Sequence, residues 1–119
     1  MGSKVKKFAV SACLIVAATI QHSPAMAGGN PKDGAIVFDS ICNTCHGDKG
    51  ETEIPGIPVF AKGERMNKTD EQLKKSIRNG VENPNNPAGM TMPPHGGGPV
   101  LTDKQLSDVI AYIRTLKKK

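Results

Sequence analysis

Large aromatic residues are nearly absent from this 119-residue chain, which has no tryptophan, one tyrosine and three phenylalanines. It has only three cysteines, and two of them, Cys42 and Cys45, stand too close in sequence to staple distant parts of a fold. A domain of this size buries only a modest hydrophobic core by itself. We therefore expect a further group to complete the interior, and a large apolar cofactor would do so.

Strong charge of one sign is also lacking once the N-terminal segment is set aside. The chain has 16 basic and 11 acidic residues, and three of its lysines precede an apolar run near the N-terminus. Without those three, 13 basic and 11 acidic residues leave a net charge of +2. This balance is too weak for a nucleic-acid-binding surface, and we expect no nucleic-acid partner.

The N-terminus has the pattern of a secretory signal peptide. The three lysines are followed by the apolar run Phe8–Ile20, and Ala25 and Ala27 fit the alanine-x-alanine cleavage rule. We predict a cleaved signal at 1–27 and a periplasmic domain at 28–119. The apolar run is shorter than the roughly 20 residues that a spanning helix needs, so a retained membrane anchor is the less favoured alternative.

Cys13 offers a second alternative for this segment, because the residues before it resemble the box that precedes a lipidated cysteine. The apolar region before Cys13 is too short for that box, and a further apolar stretch follows it. We interpret Cys13 as a small apolar residue within the signal peptide.

The remaining sequence predicts an all-α domain of three or four helices with long loops. Asn30 is a capping residue before a helix that we expect at Pro31–Cys45. Capping boxes begin two more helices at Thr69 and Thr102, and Gly80 ends the first of these. Two stretches rich in glycine and proline separate the helices, and loops of such length are usually functional or disordered.

The most informative residues are Cys-Asn-Thr-Cys-His at positions 42–46, which form the C-x-x-C-H signature of c-type haem attachment. Cysteines three positions apart lie on one helical face, so both sulfurs can reach the two vinyl groups on one side of a porphyrin. The imidazole of the next residue, His46, can then reach the iron. We predict one covalent haem c per chain, bound through thioethers at Cys42 and Cys45 and ligated by His46.

Other chemistry for the same residues is less favoured. A zinc site would need four ligands, and the predicted mature chain offers only Cys42, Cys45, His46 and His95, with no second paired spacing. A thioredoxin-like redox pair needs a βαβ context that is missing here. A plain disulfide would leave the following histidine unexplained.

Beyond the haem motif, the predicted mature chain resembles the class I c-type cytochromes over nearly its whole length. The matching pieces are Gly34–Phe38 leading into Cys42–His46, Met92–Pro94 in a late loop, and Leu101–Ile113 in the closing helix. In such proteins the first and last helices cross at a small residue against aromatic side chains. Gly34, Phe38 and Tyr112 match that crossing.

The resemblance implies that a methionine of the late loop is the second iron ligand. Met92 is our choice, because it stands directly before Pro93-Pro94, which would hold the loop extended. Met90 is the alternative, and Met66 is expected to pack as an apolar residue. His95 would give a bis-histidine site instead, but we interpret it as an exposed loop histidine.

The resemblance also implies that a proline carbonyl after the haem motif accepts the other ring proton of His46. Pro58 matches that segment best, and Pro55 is the alternative. The groups that hold the haem propionates have no clear match, and Arg65, Asn67 and Lys62 are candidates.

Two protein ligands on one iron would leave no open position, which favours electron transfer over catalysis. We therefore expect a monomeric single-electron carrier of a periplasmic redox chain, with transient redox proteins as donor and acceptor and no enzymatic activity. One alternative is a haem-bearing subunit of a larger oxidoreductase, and another is an open-site ligand-binding or peroxidatic haem protein. Lys49 and Lys62 are predicted to steer partners toward an exposed haem edge.

Overall fold

A computed structural model of the protein describes Gly2 and residues 28–119. Apart from Gly2, the predicted signal peptide, with Cys13, lies outside the described residues. The predicted all-α class is confirmed, and the one β-type pairing within 28–119 is an isolated bridge between Val81 and Met92. The helices are α1 (Pro31–Val37), α2 (Asn43–His46), α3 (Asp70–Asn79) and α4 (Asp103–Thr115), with 3-10 turns at Phe60–Lys62 and Pro94–Gly97.

The predicted helix starts are confirmed by their capping hydrogen bonds. The Asn30 side chain accepts from the backbone N–H of Lys32 at 2.9 Å. Thr69 and Thr102 each form a complete capping box, in which the threonine oxygen and a glutamine side chain satisfy backbone N–H groups reciprocally. These signals were readable in the sequence because each cap acts within four residues.

The prediction of the first helix is wrong in the interior of that helix. Instead of one α-helix over Pro31–Cys45, α1 ends at Val37 and a π turn at Phe38–Cys42 leads into α2. The backbone N–H of Asn43 donates to the carbonyl of Phe38, five residues back, so the chain gains one residue per turn here. The haem motif consequently leaves α1 in a direction that a uniform helical period does not give.

The crossing of α1 with α4 has the small and aromatic residues that the resemblance implied. A Cβ atom on Gly34 would lie 1.9 Å from the backbone oxygen of Asp108, so only glycine allows this approach. The ring of Phe38, which is fully buried, meets Tyr112 edge to face with 5.2 Å between centroids. This crossing forms one end of the hydrophobic core.

The rest of the core lies between α4 and α3, with contributions from the loops. Its buried apolar side chains are Leu73 and Ile77 of α3, Leu106, Val109, Ile110 and Ile113 of α4, and Phe60, Leu101 and Leu116 outside these helices. None of the helices within residues 28–119 combines the length and the apolar character that crossing a bilayer requires.

Asp108 is a buried carboxylate that ties the start of the described domain to α4. It accepts from the backbone N–H of Asn30 at 2.7 Å and from the Lys104 ammonium at 2.6 Å. Burial opposes ionisation of this carboxyl, but the two donors outweigh it and lower the pKa of Asp108. The carboxylate is therefore paired on both oxygens.

Candidate functional site

A cavity of about 290 Å³ lies between α2, α3 and the two long loops. Its wall is mostly apolar, with side chains from every surrounding element: Ile41, Ile57, Phe60, Leu73, Ile77 and Ile113. The predicted site residues also line it, namely Cys42, Cys45, His46, Pro58, Met90 and Met92. The predicted site residues, which lie up to 50 positions apart in the sequence, therefore meet around one cavity.

The two cysteines are free thiols in this structure and are not joined to each other. Both are half-buried on the cavity wall. Burial, followed by the nearby Cys45, raises the pKa of the Cys42 thiol to about 11. The two thiols therefore stand separately on the cavity wall, and that of Cys42 stays protonated at neutral pH.

His46 is buried, with 8% of its surface exposed, and its ring stacks on Phe60 at 4.5 Å between centroids. Its Nδ1 atom lies 3.4 Å from the Pro58 carbonyl oxygen. Burial lowers the pKa of His46, and the contact with Pro58 acts in the opposite direction. Because a carbonyl can only accept, the tautomer that satisfies it is protonated on Nδ1 and leaves Nε2 unprotonated, with its lone pair free to bind a metal.

Local backbone contacts hold both halves of this pair. The His46 carbonyl accepts from the backbone N–H of Thr52 at 3.1 Å, which turns the chain directly after α2. Val59, the residue after Pro58, donates its backbone N–H to the Glu64 carboxylate at 2.9 Å. Pro55, the alternative acceptor, lines a neighbouring groove and not this cavity.

The backbone of Met92 is held in place by the isolated bridge to Val81. The backbone groups of Val81 and Met92 exchange two hydrogen bonds of 2.8 and 3.0 Å. Gly80, with a φ of +75°, allows this approach, since a Cβ there would lie 2.5 Å from the Met92 carbonyl oxygen. Met90 also lines the cavity but takes no part in the bridge. Met66 packs against the hydrophobic core, as predicted.

Polar groups on the cavity wall differ in part from those expected. Arg65 and Lys68 line the cavity, whereas Asn67 and Lys62 do not. Lys62 lines the neighbouring groove. Lys49 is exposed and lines neither the cavity nor the groove. Within the described residues, no group of three or more histidine, cysteine or acidic side chains is placed to hold a metal ion, as the zinc alternative would need.

The residues present fit a haem. The wall offers a large apolar surface, two thiols for covalent attachment, a buried imidazole with a free Nε2 and two thioether sulfurs. Imidazole and thioether are both established axial ligands of haem iron. The basic side chains of Arg65 and Lys68 complement the carboxylates that such a group carries.

Comparison with known proteins agrees with this geometry. The family model described as "Cytochrome C oxidase, cbb3-type, subunit III" matches residues 29–113. The chain belongs to the class I c-type cytochromes. Cytochrome c-555 of Prosthecochloris aestuarii is 33% identical to this cytochrome in an alignment of 86 positions that covers 68% of this chain and 82% of that protein. No solved structure gives a significant match.

Family membership confirms the cofactor and the broad function. This cytochrome binds haem c covalently, the Cys42 and Cys45 pair fits the attachment motif, and the protein is a haem-based electron carrier with redox partners. Sequence reasoning missed the pairing of Val81 with Met92 and the place of Lys68 on the wall. Gly80 was the available signal for the pairing, but a glycine after a helix indicates only where that helix ends.

Proposed function

We propose that residues 28–119 form a free periplasmic carrier of single electrons, with Cys42 and Cys45 as the haem thioethers and His46 and Met92 as the iron ligands. The observation that carries this proposal is the convergence of both thiols, the buried imidazole and the Met92 segment on one cavity. Haem c, when bound, supplies one-electron redox chemistry at its iron. The protein's task is to keep its ligands fixed.

Two contacts support that fixed arrangement. The Pro58 carbonyl orients the His46 ring through Nδ1, and the stacked Phe60 ring limits its rotation. The Val81 bridge fixes the backbone of Met92 at the end of α3. Ligands held in this way move little between oxidation states, so each electron transfer needs little structural reorganisation.

Met92 is favoured over Met90 because of the backbone that carries it. The bridge gives Met92 two hydrogen bonds to a residue next to a helix end, and Pro93 follows directly. Met90 lies in the same loop without such a pairing to a helix end. A ligand that must stay bound in both oxidation states is better placed on the restrained segment.

Arg65 and Lys68 are the side chains that we assign to the haem carboxylates. Both line the cavity, and both are basic. Arg65 also has a φ of +69°, a conformation that non-glycine residues adopt rarely. The proposed location in the periplasm follows from the lysine-initiated apolar segment before residue 28. Two protein ligands on the iron argue for a carrier without enzymatic activity.

The attachment is tested by the intact mass of the protein from cells competent in cytochrome maturation. We expect the mass of residues 28–119 plus one haem, which should resist acid-organic extraction. Cys42→Ala and Cys45→Ala should weaken or abolish the attachment, whereas Cys13→Ala should leave the haem content unchanged. A mature protein that carries no haem under these conditions would contradict the assignment of the motif.

The iron ligand is tested by a matched pair, Met92→Ala and Met90→Ala. Met92→Ala should abolish the weak charge-transfer absorption of a methionine-ligated ferric haem, lower the midpoint potential and open the reduced iron to carbon monoxide. Met90→Ala should leave all three nearly unchanged. The reverse pattern would transfer the ligand role to Met90 and leave the fold intact.

A second candidate function, a haem-bearing subunit of a larger oxidoreductase, is favoured by the description of the matching family model. Size-exclusion chromatography of the gently extracted native protein separates the two. A free carrier elutes at the size of a small monomer and reduces or oxidises soluble partners. Stoichiometric co-elution with a large complex would establish the subunit role.

A further inference from the structure

His95 has an unusual backbone conformation next to the methionine segment. Its φ is +54°, and among the described residues only Arg65 shares a positive φ without being glycine. This left-handed region costs most residues about 1–2 kcal/mol, although asparagine, aspartate and histidine enter it more readily than others. Such a conformation persists only where surrounding contacts determine it.

The side chain of His95 supplies one of those contacts. Its Nδ1 accepts from the backbone N–H of Leu101 at 3.1 Å, across six residues of chain. Leu101 is buried in the core directly before α4. The imidazole therefore joins the turn at Pro94–Gly97 to the start of the closing helix, and it is not among the residues that line the cavity.

The same turn also packs on the segment that carries the haem motif. The N–H of Gly96 donates to the Pro93 carbonyl at 3.0 Å, and the N–H of Gly98 donates to the His95 carbonyl at 3.2 Å. Cβ atoms built on Gly96 and Gly98 would lie 2.8 and 3.0 Å from the side chain of Ile41, the residue before Cys42. The chain after Met92 is thus confined between Ile41 and Leu101.

We propose that His95 is a positioning residue: by accepting from Leu101 in a left-handed conformation, it holds the segment after Met92 in place and keeps that methionine at the iron. This inference rests on the proposed function, in which Met92 is the ligand. The Val81 bridge restrains the segment before Pro93, and His95 restrains it from the other side. Histidine thereby acts as a loop anchor and not as an alternative ligand.

The experiment compares His95→Asn with His95→Gly in the haem-loaded protein. Asparagine tolerates the left-handed conformation and places its Oδ1 where Nδ1 accepts, while glycine adopts the conformation freely but provides no acceptor. We measure the rate of carbon monoxide capture by the reduced protein, the charge-transfer absorption and the midpoint potential. Far-UV circular dichroism and haem-linked mass establish that each variant is folded and loaded.

His95→Gly should capture carbon monoxide about three- to tenfold faster than the wild type, which is the population change expected from one lost hydrogen bond. It should also weaken the charge-transfer absorption, and His95→Asn should stay close to the wild type in both measurements. Equal capture rates for the wild type and both variants, with Met92→Ala fast, would overturn the role of His95 alone. If Met92→Ala leaves capture unchanged, the ligand assignment fails and the role of His95 fails with it.

A second variant keeps the role of His95 testable if His95→Gly does not fold. If His95→Gly gives no loaded protein, the anchor is tested by His95→Leu, which has the branched shape of asparagine but removes the acceptor and also disfavours the left-handed conformation. Fast capture by His95→Leu together with slow capture by His95→Asn supports the anchoring role of position 95, which combines the acceptor with the left-handed conformation. Identical capture by these two variants contradicts it.

Discussion

The crossing of α1 with α4 and the loops around the cavity are built by different means. At the crossing, side chains interlock, and Phe38 is completely buried against Tyr112. In the loops, backbone conformation does much of the shaping: all the residues with positive φ within 28–119 lie outside α1–α4. The crossing is therefore a scaffold set by packing, whereas the loops are shaped by turns and long-range hydrogen bonds around the cofactor.

This difference is tested most strongly by Gly34→Ala, which we expect to destabilise the whole domain. The new Cβ would overlap the Asp108 backbone oxygen, and neither helix can yield without separating the crossing. The expected loss is about 3 kcal/mol or more in the free energy of unfolding. Urea unfolding monitored by far-UV circular dichroism measures it.

Gly28→Ala is the matched control, because a Cβ on Gly28 meets nothing within 4 Å. Its unfolding midpoint should equal that of the wild type within error. If Gly34→Ala unfolds at the same urea concentration as this control, the crossing is not the close contact described above.

The next largest effect is expected at the edge of the loops, from Gly80→Ala. The substitution places a Cβ 2.5 Å from the Met92 carbonyl oxygen, at a φ of +75° that alanine disfavours. We expect a loss of roughly 2–3 kcal/mol. The charge-transfer absorption expected from the proposed Met92 ligand should weaken at urea concentrations where the helical signal persists.

Gly89→Ala separates backbone strain from the clash. Gly89 has a φ of +62°, but a Cβ there would point into open space. This variant should lose only about 1 kcal/mol and keep the absorption. Equal effects of the two substitutions would mean that the bridge of Val81 with Met92 does not control the ligand.

A smaller effect, dependent on pH, is expected from Asp108→Asn at the scaffold. The pKa of Asp108 is lowered in the folded protein, so its contribution to stability is present above the ordinary carboxyl pKa and disappears as the pH falls through the lowered value. At neutral pH the variant should lose about 1–2 kcal/mol, the usual value of hydrogen bonds to a charged group. The stabilities of the wild type and the variant should approach each other as the pH falls below the ordinary carboxyl pKa and through the lowered pKa of Asp108.

Urea unfolding of both proteins across this pH range provides the measurement. Asp39→Asn makes the same change of charge at an exposed position of the π turn and should have little effect at either pH. A constant difference between wild type and Asp108→Asn from neutral to acidic pH would contradict the pairing of Asp108 with Asn30 and Lys104.

The smallest expected effect concerns the link between the two regions. Arg114 of α4 donates to the Asp70 carboxylate at 2.6 and 2.8 Å and to the carbonyls of Met66 and Lys68 at 3.2 and 2.8 Å. Arg114→Lys cannot reproduce this planar set of donors and should cost about 1 kcal/mol. Hydrogen exchange in residues 62–69 should increase before that of α4.

Arg78→Lys is the comparison for this last prediction. The Arg78 side chain is 46% exposed and pairs with Asp103, which is 86% exposed, so the change should stay within about 0.5 kcal/mol. If hydrogen exchange in residues 62–69 is the same in Arg114→Lys and the wild type, the Arg114 guanidinium does not hold this loop.

The parts of this cytochrome that could be predicted from sequence are those decided by near neighbours. The caps at Asn30, Thr69 and Thr102 act within four residues, and the haem motif is a continuous run. The helix over Pro31–Cys45 was predicted without its π turn, because the turn inserts a residue without any change in the apolar pattern. Local signals therefore give the elements but not the direction in which the motif leaves α1.

Contacts between distant residues account for most of what the sequence did not reveal. Arg114 binds Asp70 of α3 and the loop before it, 44–48 residues away, and Asp108 binds Asn30 at a separation of 78 residues. The loop histidine at position 95 has no neighbour in sequence that identifies Leu101 as its donor. The cavity wall was partly predictable, since Arg65 was a candidate, but Lys68 joined it only through the folding of the loop.

The Val81–Met92 bridge has a consequence for how this cytochrome tolerates changes in length. The bridge closes residues 82–91 into a loop whose two ends are held by hydrogen bonds, and Gly89 near its tip has open space around it. Lengthening a closed flexible loop costs little free energy, because the entropy of closure grows only slowly with the number of residues. Insertions beside exposed Ala88 can therefore diversify the outer surface, or accept a label, while the anchored residue keeps its register.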